Sequence, residues 1–154
     1  MELSGEVIAG QFFAGLATPQ FITPRSFTAL QTNQTQRQHF WVSAVDPVAP
    51  TGLSLDWSDL PQRRYGNYLT FHNADLALVV YNFGRELSYF VDHNHAAMDD
   101  INAVLEFLVY QRRHKVIIQE INGVSAKESP YLGPLDRLFR VGHDHKAVFL
   151  EAKF

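Results

Sequence analysis

The chain has no cysteine among its 154 residues. Disulfides and thiolate chemistry are excluded with it, and the composition points to the cytoplasm. No apolar run approaches the roughly 20 residues that a membrane helix needs. No basic segment followed by an apolar stretch opens the chain, so no signal peptide is expected. The phosphate-cradling pattern G-x-x-x-x-G-K-(S/T) is missing, so the chain cannot hold ATP in the manner of a P-loop motor. No nucleophile elbow or Ser/His/Asp order is found either, and no catalytic residue is assigned. Excess charge is scarce: 13 Lys and Arg against 16 Asp and Glu leave a net charge of -3. That balance argues against a strong non-specific grip on phosphate.

What is present suits a folded domain with a real core. Hydrophobic residues make up 46% and charged residues 19%, outside the range of disordered chains. Aromatic residues reach 13%, and they favour pleated, half-buried surfaces. The length suits one domain. Residues 1–30 read as a wing-like β-hairpin segment, with strands over Glu6–Thr23 turning around Ala14–Pro19, and Pro24–Leu30 as a helical turn. A hairpin so close to Met1 suggests a piece of something larger. Residues 31–154 read as a β-barrel-like domain with a C-terminal helix-strand-helix-strand, the whole forming one compact unit. Thr32–Gln36 reads as loop, and Leu53 and Leu55 anchor a long connection over Pro47–Pro61.

The strand pattern is explicit. Phe40–Val45, Tyr68–Phe71, Leu76–Tyr81 and Leu87–Val91 are rich in strand formers and separated by turn residues, the last three forming a meander. Ile101, Val104, Leu105, Leu108 and Val109 recur at helical spacing behind Asp99 and Asp100, whose charges suit a helix start. Val116–Ile121 reads as one strand, and Asn122-Gly123 as a tight turn. Ser129 suits an N-cap and Pro130 the first helical position, with Gly142 as the stop before a terminal strand. The fold class expected is α+β: an antiparallel, β-rich, partly closed barrel or curled sheet with two C-terminal helices.

Two His-x-His segments, His93/His95 and His143/His145, could each grip a metal if they lay on strands. Both sit among turn residues with no third ligand at readable spacing, so no metal site is expected. Asp46, ahead of Pro47, suits a turn closed on its own backbone. Glu120 suits an exposed strand position. The basic clusters Arg63-Arg64 and Arg112-Arg113-His114-Lys115 suit a solvated surface. For nucleic acid the useful side chains are Arg25, Arg63, Arg64 and Tyr65, with Gln11 and Gln20 secondary. Arginine neutralises phosphate, and an adjacent tyrosine stacks on an unpaired base.

Three segments, in order, resemble a known family. Gly5, Glu6, Val7, Gly10, Phe12 and Gly15, followed by Gln20, Phe21 and Pro24, match the first. Ser43, Ala44, Asp46, Pro47 and Gly52 match the second. Glu120, Ile121, Asn122, Gly123, Ala126, Ser129 and Pro130 match the third. In this the chain resembles the C-terminal region of Lhr-type, large helicase-related, DNA helicases. The resemblance implies a winged-helix wing leading into a β-rich domain. It implies a non-catalytic accessory part of a DNA-repair helicase whose partners are DNA and neighbouring helicase domains or subunits. No cofactor is implied for this piece, the ATP and magnesium belonging to the motor of the parent. That family also looks like bacterial DNA glycosylases, so a base-excision module is an alternative, and a purely architectural interaction domain is another. Where family members carry arginine in the hairpin this chain has Ser4, Ile8 and Gln11, so the expected contacts centre on Arg63-Arg64-Tyr65.

Overall fold

The computed structural model describes residues 6–12, 18–32, 39–52, 57–73 and 75–153, the side chains of 111–113 excepted. Gly5, Gly15, most of the expected hairpin turn, the loop after Thr32, and Leu53 and Leu55 lie outside the described residues. The chain divides into two compact units, Met1–Gln36 and Arg37–Phe154.

In the first unit β1 (Ile8–Gly10) and β2 (Gln20–Ile22) form an antiparallel pair, with Ile8 opposite Ile22. The helix α1 (Pro24–Gln31) follows at once. Its start is set locally: Pro24 supplies a helical φ, and Thr23 Oγ1 accepts a hydrogen bond from the Ser26 amide at 3.2 Å. The Phe12 ring meets Phe27 edge-on at 5.9 Å.

The second unit is built on a six-stranded sheet in the order β3-β4-β5-β6-β8-β9. Its strands are β3 (His39–Ser43), β4 (Tyr68–His72), β5 (Asp75–Tyr81), β6 (Glu86–Tyr89), β8 (Glu120–Ile121) and β9 (Val124–Ser125). The first four form an antiparallel meander, and β6 pairs with β8 in parallel. Both sheet faces are covered, and β4 shows why it is so apolar. Tyr68 joins the main core with the helices, whereas Leu69 and Phe71 point into a smaller cluster with Ala44 and Leu60. A second sheet has the order β10-β11-β7, made of β7 (Lys115–Ile118), β10 (Arg140–His143) and β11 (Val148–Glu151). Both sheets are open at their edges, so no barrel closes among the described residues. The architecture is mixed helix and strand with largely antiparallel pairing.

The expected helix is present as an interrupted tract. It runs through α2 (Met98–Ile101), α3 (Ala103–Phe107) and a π-helical turn, Leu108–Arg113, and ends at His114 with φ 60°. Asn102 breaks it, with ψ 1°, while its side chain accepts a hydrogen bond from the Tyr89 hydroxyl at 2.6 Å. The five residues of the apolar stripe are all fully buried. The final helix, α4 (Leu132–Leu138), starts later than Ser129 suggests. Tyr131 caps it with a backbone already helical at φ -72° and ψ -10°, its hydroxyl tied to the Val91 carbonyl at 2.6 Å and its ring stacked on Tyr89.

Two further departures have local causes. The run Val116–Ile121 is not one strand: the Arg85 carbonyl accepts from both Gln119 and Glu120 amides, and β7 and β8 leave for different sheets. Gly142 is not a helix stop. It lies in β10 opposite Phe149, whose ring passes 2.1 Å from where a Cβ would stand. The Asn122-Gly123 turn is as expected, with φ of 52° and 75° closing a two-residue hairpin between β8 and β9. No helix among the described residues is long and apolar enough to cross a membrane.

Candidate functional site

The loop bearing Arg63, Arg64 and Tyr65 is pinned from behind by one buried side chain. Asn67 donates from Nδ2 to the Gln62 carbonyl at 3.1 Å and accepts at Oδ1 from the Asn82 amide at 3.1 Å. Its own amide donates to the Arg64 carbonyl at 3.1 Å. These bonds tie the loop to the turn Asn82–Gly84. The Phe83 ring closes the join: Phe83 N donates to the Gly66 carbonyl at 2.7 Å, and Tyr65 stands edge-on against Phe83 at 5.1 Å. Tyr65 is 56% exposed, so its ring is half open to solvent beside Phe83. Arg63 and Arg64 are exposed beside it, and Arg63 Nη2 donates to the Val45 carbonyl at 3.3 Å.

Phe83 also lines a shallow cleft of about 260 Å³ with Arg85, Lys115 and Gln119. Gly84 makes this cleft possible. Its φ is +98°, and a Cβ there would lie 2.3 Å from Val116 Cγ1. The turn can therefore press against β7 only with glycine at this position. Arg85 Nε donates to Gln119 Oε1 at 2.9 Å, and Lys115 Nζ lies 3.5 Å from Glu151 and 3.7 Å from the Phe149 ring centre. A cleft edged by Phe83 and carrying Arg85 and Lys115 thus joins residues far apart in sequence. Arg85 and Phe83 were not legible as members of it; the turn signal Asn82-Phe83-Gly84 was the available clue. Arg25 belongs to the first unit, exposed in the first turn of α1. Gln20 is used internally, its Oε1 accepting from the Phe12 amide at 2.6 Å.

A second cluster forms at the end of the sheet. His39 and His72 face each other across β3 and β4, with their Nδ1 atoms 2.9 Å apart. His39 Nε2 lies 3.5 Å from Asp100 Oδ2 on α2, and the His95 ring meets His72 edge-on at 4.9 Å. These side chains line a polar pocket of about 400 Å³. Nothing in the sequence signals that His39 and His72 meet, because only strand register joins them. The rings of the two His-x-His segments have separate surroundings. His93 turns to Tyr131 and His95 to His72, and His143 and His145 are exposed around Asp144. The amides of Lys146 and Ala147 donate to Asp144 and hold its carboxyl below the usual carboxylate range. Asp46 closes its own turn, accepting from the Val48 amide at 2.9 Å, and Glu120 is an exposed strand residue.

No protein-family model matches the chain. It is 25% identical over 142 residues to the Lhr helicase/uracil glycosylase of Escherichia coli (strain K12), a match covering 84% of this chain. The match covers 9% of that protein, so the chain spans less than a tenth of its relative. The similarity links the chain loosely to Lhr-type proteins, in line with the three segments that resemble that family.

Proposed function

We propose that this chain is an accessory domain of an Lhr-type DNA-processing protein, without catalysis of its own, that contacts nucleic acid through Tyr65 and the cations around it. The observation that carries the reading is the exposed Tyr65 ring, packed T-shaped against Phe83 on a loop that Asn67 ties to Gln62 and to Asn82. A preorganised ring stacks on an unpaired base at little entropic cost, and Arg63 and Arg64 neutralise the flanking phosphates. Arg85 and Lys115, the latter paired with Glu151, stand beyond Phe83. Arg25 offers a further cation on the first unit. ATP and magnesium belong, on this reading, to a motor outside these residues, and neighbouring helicase domains or subunits are the protein partners.

The base-excision alternative draws on the glycosylase in the relative's name. It calls for a buried carboxylate beside a base-sized cavity. Among the described residues no Asp or Glu is buried, and Asp100 at the histidine pocket is 63% exposed, which favours the accessory reading.

Titration of labelled single- and double-stranded oligonucleotides at two salt concentrations tests the proposal. Weak, salt-sensitive binding is expected. Tyr65→Ala lowers affinity for single strands more than for duplex, by about 1–3 kcal/mol for a lost base stack. Unchanged binding in the Arg63→Ala, Arg64→Ala double variant moves the site elsewhere. No binding by the unaltered chain at low salt leaves the architectural reading.

A further inference from the structure

We infer that His39 and His72 form a two-imidazole chelate for a divalent transition-metal ion of the zinc, copper or nickel type. The inference goes beyond the nucleic-acid reading and does not depend on it. The two residues are direct partners across β3 and β4, so the backbone holds their side chains side by side on one face. Their Nδ1 atoms are 2.9 Å apart. Two nitrogens bound to one tetrahedral ion at ~2.0–2.1 Å stand about 3.3–3.4 Å apart. An opening of roughly half an ångström, well within side-chain rotation, admits the ion between them.

The surroundings add a carboxylate behind one of the two rings. Metal-bound imidazoles commonly give their second ring nitrogen to a carboxylate, which sets tautomer and orientation. His39 Nε2 has Asp100 Oδ2 within ion-pair reach at 3.5 Å, placed to take that role. His95 accepts the Ala97 amide at its Nδ1, 3.2 Å away, and packs its ring against His72. It is therefore a wall that fixes the His72 ring and not a third donor. Among the described residues no group of three or more donor side chains could hold a metal. The shell is accordingly completed by water, for which the polar pocket of about 400 Å³ has room. Imidazole donors select zinc, copper and nickel over magnesium and calcium. Without metal the two rings share one N–H···N hydrogen bond, which keeps them in register for the ion.

The test is thermal unfolding of the full chain in zinc at mildly alkaline pH. An ion that binds only the folded chain raises Tm as its concentration rises. A zinc-dependent rise, reversed by chelator, absent in His72→Gln and retained in His93→Gln, is expected. No rise at millimolar zinc overturns the inference, as does a rise that survives His72→Gln or disappears in His93→Gln. Should His72→Gln not fold, copper(II) bound to the unaltered chain gives the answer by electron paramagnetic resonance. Coupling to two nitrogen donors is expected, and coupling to one or none overturns it.

Discussion

Tyr89 makes contacts with its side chain and its backbone alike. Its ring stacks on Tyr131 at 4.2 Å and 7°, and its hydroxyl donates to Asn102 where the helical tract breaks. Its backbone pairs with the Asn122 amide side chain, which accepts from Tyr89 N at 2.7 Å and donates to Tyr89 O at 3.2 Å. Asn122 thus imitates a strand neighbour just where β8 ends. Burial pushes the Tyr89 phenol well above its ordinary range. The unfolded chain releases this proton near pH 10 and the folded chain keeps it, so stability holds below about pH 10 and falls as pH rises beyond it. Tyr81 and Tyr131 shift in the same direction by burial and add to the effect. Urea midpoints measured across the alkaline range check this. Tyr89→Phe keeps the ring stack but leaves Asn102 Oδ1 without its donor, beside an Asn102 Nδ2 that already has no partner. A loss of about 1–3 kcal/mol in urea unfolding is expected, with a shallower alkaline decline.

At the scale of elements, the turn Asn82–Gly84 decides where the basic cleft forms. Asn82 and Phe83 both have positive φ, 48° and 60°, and Gly84 reaches +98° against β7. Gly84→Ala strains the backbone and drives a methyl into Val116. A loss of about 2–4 kcal/mol is expected from overpacking together with the left-handed backbone, measured as a shifted denaturant midpoint. Unchanged stability would mean that the turn and β7 do not press together as described. The strands of the meander and the hairpin at Asn122-Gly123 were legible because alternation and turn chemistry act over a few residues. The split at Gln119 was not, because its cause is the Arg85 carbonyl, 34 residues earlier.

At the scale of the molecule, the chain is expected to lack ATP hydrolysis, with or without DNA. The missing phosphate loop is the reason. DNA-stimulated release of phosphate by the purified chain contradicts it. The net charge of -3 sets the second expectation. Few cations cluster, so few counterions are released on binding. A shallow salt slope follows, about 0.7 logarithmic units of affinity per logarithmic unit of salt for each single-strand phosphate contact. A slope steep enough to demand six or more contacts points to cations other than Arg63, Arg64, Arg85 and Lys115.

By itself the sequence determined the mixed, strand-rich class, the apolar helical stripe from Ile101 to Val109, the turn at Asn122-Gly123 and the exclusion of thiol and P-loop chemistry. Each follows from composition or from spacing within a dozen residues, where propensity and periodicity speak directly. It also marked Arg63-Arg64-Tyr65 as a cluster, since those residues are neighbours in the chain. Only the tertiary structure decided that Asn67 and Phe83 tie that cluster to the Asn82–Gly84 turn, and that Arg85 and Lys115 share a cleft. It alone brought His39, His72 and His95 to one pocket. Those meetings depend on strand register and on the close approach at Gly84. Such contacts join residues roughly 15 to 60 positions apart, where backbone pairing and packing, not local preference, choose the partner.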